Sequence, residues 1–277
     1  MLKKSVFAVL VVLMLLLAAC GGSNEAADSS DEAAVDTTIN CGDVEVGELP
    51  DLGGQDVYMA VENAYPPFNY LDENGEGIGW DYDIGRALCD LLNCTPVFTE
   101  AAWDGIFPAM AAGEYDVLFD GVTFTAERDE TVDFSCAYVI LGQVLLVRVD
   151  EDRFSTADEF AADENLVVST QITTTNEMVA HDFVGVDRTK SFEDFGLAVQ
   201  ALLSGDVDAV VIDTLTASGF MGQNPGEMKI AATITSDEQL ALVFPPDSDL
   251  KEPFTNALHA MAADGSLQSI NDTWFNP

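Results

Sequence analysis

Chemistry-bearing residues are most concentrated between Asp116 and Ser135, in the run DVLFDGVTFTAERDETVDFS. An apolar strand leads into a Gly and Thr turn, and Thr125-Ala126-Glu127-Arg128 then reads as a short capped helix. The turn therefore stands at the carboxyl end of a strand. In open α/β sheets small ligands bind there, because loops and helix amino termini expose unpaired N–H groups. Arg128 adds a planar, permanently charged fork suited to a carboxylate. The competing reading is a surface arginine paired with Glu127 or Asp129, which local context alone favours.

The elements that would hold this turn follow from hydrophobic spacing. Residues 56–61 read as a strand and 62–68 as a loop, since paired prolines forbid helix. Residues 69–80 read as a hairpin around Glu73-Asn74-Gly75. Residues 81–92 have helical spacing opened by an aspartate cap. A strand at 97–101, a helix at 103–112 ended by Gly113 and a strand at 116–119 complete a β/α series. Such a series predicts a mostly parallel sheet with helices on its faces.

A long extended run, 138–149, is interrupted at Gly142, after which the alternation restarts. Strands are expected at 166–169, 184–187, 208–212 and 230–232, with helices at 174–183, 192–203 and 214–221. A strand at 240–244 and helices at 249–264 and 266–275 close the chain. Two β/α units joined by extended runs predict two lobes, with the chain crossing between them twice.

The 277 residues carry 49 acids against 10 bases, a formal charge of −39. That charge argues against nucleic acid or an anionic membrane surface as partner. Acids spread along the whole chain read as a solvated surface, with a modest attraction for cationic ligands. Residues 1–20, MLKKSVFAVLVVLMLLLAAC, have two lysines, an apolar run and small residues before a lone cysteine, the marks of an export signal. An uncleaved membrane anchor is the alternative, for which the apolar run is short. Residues 22–40 hold almost no large apolar side chain and read as a flexible tether.

Setting Cys20 aside leaves Cys41, Cys89, Cys94 and Cys136, an even set that predicts disulfides in an exported protein. Cys89 and Cys94 make the best pair, because a helix end plus a turn brings their Cα atoms together. Cys41 with Cys136 follows only by elimination. No spacing suits zinc, His181 and His259 stand alone, and no metal or cofactor is expected.

Seven segments in one order carry a family resemblance: Ala64-Tyr65-Pro66-Pro67-Phe68, Gly79-Trp80-Asp81-Tyr82-Asp83-Ile84, Trp103-Asp104-Gly105-Ile106-Phe107-Pro108-Ala109-Met110, Gly113-Glu114-Tyr115-Asp116-Val117, Thr123-Phe124-Thr125-Ala126-Glu127-Arg128, Val132-Asp133-Phe134-Ser135 and Leu203-Ser204-Gly205-Asp206-Val207-Asp208-Ala209-Val210. From about Asp56 onward the chain resembles the polar amino-acid solute-binding proteins of ABC importers, family 3. The amino terminus resembles a lipoprotein signal, with residues 1–19 removed, Cys20 lipidated and residues 20–51 forming the lipidated Cys and tether.

The resemblance implies an α/β, two-lobe periplasmic-binding-protein-like fold of type II, with the ligand cleft between lobes joined by two crossing strands. Lobe 1 would comprise 52–141 plus 239–277, and lobe 2 would comprise 142–238. It also implies a protein held outside the membrane by its lipid, acting as a monomer with a membrane permease and a separate ATPase.

An amino acid is a zwitterion, so a dry cleft must offer partners to both charges. Arg128 matches the family's carboxylate-binding arginine, and Thr174 its hydroxyl and N–H partner, although a purely capping role would also place Thr174 there. Asp213, with the Gly121 carbonyl and the Thr123 hydroxyl, matches the ammonium site; capping of the next helix is the competing role for Asp213, and the two are compatible. Tyr65 and Trp103 match the aromatic walls. Glu62 sits where members that bind basic amino acids often carry an acid, and Asp120 adds a second one. Two acids and two aromatics predict an arginine-like or lysine-like ligand, unless the acids face solvent.

Three positions depart from the family pattern. Ile172 stands in place of a usual Gly before Thr173 and Thr174, Gly121 in place of a frequent Ser, and Cys136 in place of a common Pro. Two other functions remain in view. A dehydratase-like periplasmic enzyme of this fold is one, although no Ser/His/Asp or Cys/His set is present. A ligand sensor for a separate receptor is the other.

Overall fold

The computed structural model describes residues 34–39 and 47–275. Cys20, Cys41, the proposed signal and most of the proposed tether lie outside the described residues. Two sheets of matching design dominate the described chain. The first uses β1 (Asp56–Val61), β5 (Thr95–Glu100), β6 (Val117–Thr123), β7 (Asp133–Phe134), β8 (Val139–Leu141) and β14 (Glu238–Phe244). Its order is β5-β1-β6-β14-β7, with β8 also paired to β14. β1 is parallel to both β5 and β6, and β14 runs antiparallel to its partners.

The second sheet uses β9 (Gln143–Arg148), β10 (Val168–Gln171), β11 (Thr189–Phe192), β12 (Ala209–Asp213) and β13 (Met228–Thr233), in the order β11-β10-β12-β9-β13. Its first three strands are parallel and β9 is antiparallel to both neighbours. A three-stranded ribbon of β2 (Ala64–Tyr65), β3 (Asn69–Leu71) and β4 (Gly77–Ile78) leads into α1 (Trp80–Leu92). The central strands are buried on both faces, as in Val117–Thr123 and Ala209–Asp213, which is the mark of a sheet covered by helices.

The helices are α2 (Ile106–Ala111), α3 (Ala157–Ala162), α4 (Thr175–Val184), α5 (Phe195–Leu203), α6 (Thr214–Gln223), α7 (Lys251–Asp264) and α8 (Ser266–Phe275). The chain passes from β8 to β9 through Gly142 and returns from β13 to β14. These two crossings run side by side. A Cβ on Gly142 would lie 2.0 Å from the Thr235 carbonyl oxygen, so only glycine fits there. Thr235 Oγ1 accepts from the Gln143 N–H at 3.0 Å, and the Ile234 N–H donates to the Gln143 carbonyl at 2.7 Å.

Several elements differ from the sequence expectation. Residues 184–187 are not a strand: α4 runs through Val184, a 3₁₀ turn spans Val186–Arg188, and the strand is Thr189–Phe192. Asp81 is not the cap of α1. Gly79 holds that position, and Asp81 lies inside the first turn, wholly buried. The 125–128 helix is a turn in which Thr125 Oγ1 accepts from the Arg128 N–H at 3.1 Å, followed by a 3₁₀ turn at Arg128–Glu130. Cys89 and Cys94 form the expected disulfide at the end of α1. Cys136 is also disulfide-bonded.

Candidate functional site

In each sheet one strand lies between two parallel neighbours reached in opposite directions: β1 between β5 and β6, and β10 between β11 and β12. Loops leaving the carboxyl ends at such a switch diverge and open a crevice. Here the two crevices face each other around one cavity. All nine residues singled out in the sequence line it: Glu62, Tyr65, Trp103, Asp120, Gly121, Thr123, Arg128, Thr174 and Asp213.

Arg128 is not the surface ion-pair residue of the competing reading. Its guanidinium carbon lies 4.5 Å from the Phe107 ring centre and 5.3 Å from that of Trp103, and Nη1 donates to the Thr123 carbonyl at 2.8 Å. Burial lowers its pKa to about 10, with the charges of Asp213 and Glu238 opposing that shift, so it stays cationic at neutral pH. The remaining lysines and arginines among the described residues are used locally. Arg153, for example, pairs with Glu151 and Asp208, Arg188 donates to three backbone carbonyls near α3, and Lys251 pairs with Asp133. Arg128 is the one described cation lining the cavity.

Opposite Arg128 stands the amino terminus of α4. Thr174 is its N-cap: Oγ1 accepts from the Glu177 N–H at 3.1 Å and donates to the Gln171 carbonyl at 2.7 Å. Glu177 reaches back to accept from the Thr173 N–H at 2.7 Å. The Thr174 hydroxyl is thus occupied by capping, while the Thr175 hydroxyl lies 3.4 Å from Thr123 Oγ1 across the cavity. Thr175 and the first-turn N–H groups are what α4 offers an anion. The left-handed backbone falls on Thr173, at φ 60, rather than on Ile172, so the missing glycine is felt one residue later than the sequence implied.

Asp213 begins α6 but makes no side-chain cap bond. Its carboxyl turns into the cavity instead, accepting from Asn176 Nδ2 at 2.9 Å and from the Tyr65 hydroxyl. Burial raises its pKa, and the bonds from Tyr65 and Asn176 with the charge of Arg128 hold that rise in check. Gly121 sits where β6 bulges against β14: Leu118 pairs with Val243 and Val122 with Ala241, so two extra residues of β6 are left over. Gly121 adopts φ 54, and a Cβ there would lie 2.6 Å from Tyr65 Cε1. The bulge turns Asp120 and Gly121 toward the cavity.

At the end defined by Glu62 and Asp120, Gln171 Nε2 donates to Glu62 Oε1 at 2.6 Å and Asn69 Nδ2 donates to Asp120 Oδ1 at 2.8 Å. Burial, then the charges of Asp120 and Asp194, push the Glu62 pKa up to about 9, and burial pushes that of Asp120 to about 7. Asn69 also donates to Asp81 Oδ2 at 2.7 Å. The other Asp81 oxygen has no partner among the described residues. Tyr65 stacks on Phe68 at 5.4 Å and lies 5.5 Å from Phe195.

Four lining residues escaped the sequence reading: Gln171, Thr175, Asn176 and Phe195. Gln171, Thr175 and Asn176 sit at the carboxyl end of β10 and in the first turn of α4, so the strand-end rule could have found them. Phe195 has the spacing of an ordinary core residue and carried no such signal.

Two sheets, two crossings and a buried polar cavity at facing switch points define a two-lobed solute-binding protein. The chain belongs to the bacterial extracellular solute-binding proteins, family 3, which it matches over residues 57–277. It is 29% identical over 225 residues to the ABC transporter arginine-binding protein 1 of Escherichia coli K12, covering 79% of this chain and 90% of that one. It is 26% identical over 220 residues to the L-cystine-binding protein TcyJ of the same organism, covering 78% of this chain and 81% of that one. Among solved structures, an ancestral arginine-binding protein bound to arginine superposes with a TM-score of 0.73 at 34% identity, covering 79% of this chain and 98% of that chain. These matches confirm the two-lobe α/β fold expected from the sequence.

Proposed function

We propose that this protein binds an amino acid with a cationic side chain, arginine-like or lysine-like, outside the cytoplasmic membrane and delivers it to an ABC importer. The observation that carries this reading is the charge of the cavity wall: three carboxyls, Glu62, Asp120 and Asp213, against one guanidinium, Arg128. A ligand with one carboxylate and two positive groups complements that wall. A second ligand carboxylate would face the acids Glu62 and Asp120 in the cavity.

In the proposed pose Arg128, Thr175 and the first turn of α4 hold the ligand carboxylate, with Thr174 shaping that turn. Asp213, the Gly121 carbonyl and Thr123 hold the ammonium. Tyr65, Trp103 and Phe195 flank the aliphatic stem, and Glu62 and Asp120 receive the distal cation. The ligand's carboxylate and its α-ammonium each meet both sheets, so binding favours the closed arrangement and shifts its population. The ligand leaves unchanged, because the role of the site is to hold the three charges of the ligand rather than to transform them.

The lobes correspond to residues 52–141 with 239–277 and to 142–238. Cys20 carries the lipid at the head of a tether reaching to residue 51, and a permease with its own ATPase receives the ligand from a monomer. Calorimetric titration against arginine, lysine, ornithine, glutamine and glutamate tests the reading. Binding of at least one cationic amino acid far more tightly than glutamate is expected. Preference for glutamate, or indifference to side-chain charge, overturns it.

A further inference from the structure

We propose that the Glu62–Asp120 end of the cavity binds by exchange: the cation of the ligand side chain displaces a proton that the two carboxyls share before it arrives. This rests on the cationic-ligand reading above and adds its regulation, since affinity then depends on pH.

The geometry supplies too few donors and no cation. Glu62, at the end of β1, meets Asp120 from β6, Gln171 from β10 and the charge of Asp194 ahead of α5. Asp120 meets Asn69 from β3 and the Glu62 backbone N–H. No lysine or arginine among the described residues stands in charge contact with either carboxyl. Arg128, the cation of the cavity, is held on Phe107 and by the Thr123 carbonyl.

The donors are already divided. One N–H of the Asn69 amide goes to Asp120 and one to Asp81, while its oxygen accepts from the Asn63 N–H at 2.6 Å. The Gln171 amide divides its donors between Glu62 and the Glu193 carbonyl at 3.0 Å. Two neighbouring carboxylates with this supply, Asp120 buried and Glu62 half-buried, cannot both stay ionised, so the pair keeps a proton at neutral pH. A guanidinium or ammonium between them supplies the missing charge and donors. The carboxyl O–H bond then breaks and its proton passes to solvent.

Asp81 lies behind Asn69, outside the cavity lining, and burial raises its pKa. Asp213 belongs to the Arg128 side of the cavity, where the guanidinium opposes protonation.

The test is calorimetric titration of the full chain with arginine and with lysine at neutral pH, in two buffers of very different ionisation enthalpy. The tighter ligand is carried forward. The two heats are expected to differ by the equivalent of about one proton released per ligand bound, and affinity to rise between pH 5.5 and 7.5 by up to about tenfold per pH unit. Glu62→Gln and Asp120→Asn should each bind more weakly with proton release reduced toward zero. Tight binding with the same heat in both buffers and a flat pH profile overturns the exchange and leaves the cationic-ligand reading standing. Failure of both cationic amino acids to bind, with glutamate or glutamine bound instead, overturns both.

Discussion

At the residue scale, Arg128 and Glu62 carry the sharpest expectations. Arg128 presents a fork already oriented by Phe107 and the Thr123 carbonyl. Arg128→Ala should therefore weaken amino-acid binding by about 100-fold or more, roughly 3 kcal/mol for a lost charge-assisted bidentate contact. Arg128→Lys should recover little of that, because an ammonium cannot reproduce the planar fork. Titration of the two variants against one ligand checks both. Arg128 was legible in the sequence because it follows a strand-end turn and matches the family's carboxylate-binding arginine, whereas its local context alone pointed to a surface ion pair. The Thr175 hydroxyl facing Thr123 across the cavity was not, since nothing in the run Thr173-Thr174-Thr175 says which hydroxyl turns inward.

Glu62 should trade affinity against stability. Its pKa in the folded chain is raised above the unfolded value, so the native state binds more protons, and its contribution to stability falls as pH rises from about 4 toward about 9. Glu62→Gln removes that loss. The ligand-free variant should melt higher than the parent at pH 8, by the equivalent of roughly 1–3 kcal/mol, with little difference near pH 4. Thermal melts across that range, run without ligand, would show it. An unchanged difference at both pH values would mean that Glu62 is ionised at little cost in the folded protein.

At the scale of elements, the β10–α4 turn and the double crossing are the parts under constraint. Thr173 is a β-branched residue at φ 60, a conformation that costs about 1–3 kcal/mol unless the surroundings enforce it. Thr173→Gly keeps the N–H that Glu177 accepts and should raise the unfolding free energy by about 1 kcal/mol. The gain is partly offset by the greater freedom of glycine in the unfolded chain. Gly142→Ala should act in the opposite direction. Its Cβ would fall on the Thr235 carbonyl, so the crossings must separate, and a loss of about 2 kcal/mol or more is expected in denaturant unfolding.

The alternation that defines the two lobes was legible because the buried strands are short apolar runs punctuated by turns. The segment 184–187 misled because Val184 and Val186 alternate like strand residues, yet the first ends a helix and the second lies exposed in a 3₁₀ turn. Helix α3 went unrecognised because it is a single short stretch with only Phe160 buried. Its Thr156 cap, accepting from the Glu159 N–H at 3.2 Å, was visible in the sequence but had no hydrophobic stripe to support it.

At the scale of the whole molecule, the charge of −39 acts on arrival and on stability in opposite directions. A field of that sign draws cations toward a cleft walled by acids, and it also drives the folded chain apart by self-repulsion. Raising ionic strength from about 10 mM to 150 mM shortens the screening length from roughly 30 Å to 8 Å, so both effects weaken together. The association rate constant for a cationic amino acid should therefore fall severalfold over that range in stopped-flow fluorescence, while that for glutamine stays nearly flat. Over the same range the melting temperature of the ligand-free protein should rise. Buried contacts between ligand and site lie beyond the reach of salt, so the dissociation rate should change far less than the association rate. A salt effect confined to dissociation would place the controlling charges at the contact surface of the lobes rather than in the long-range field.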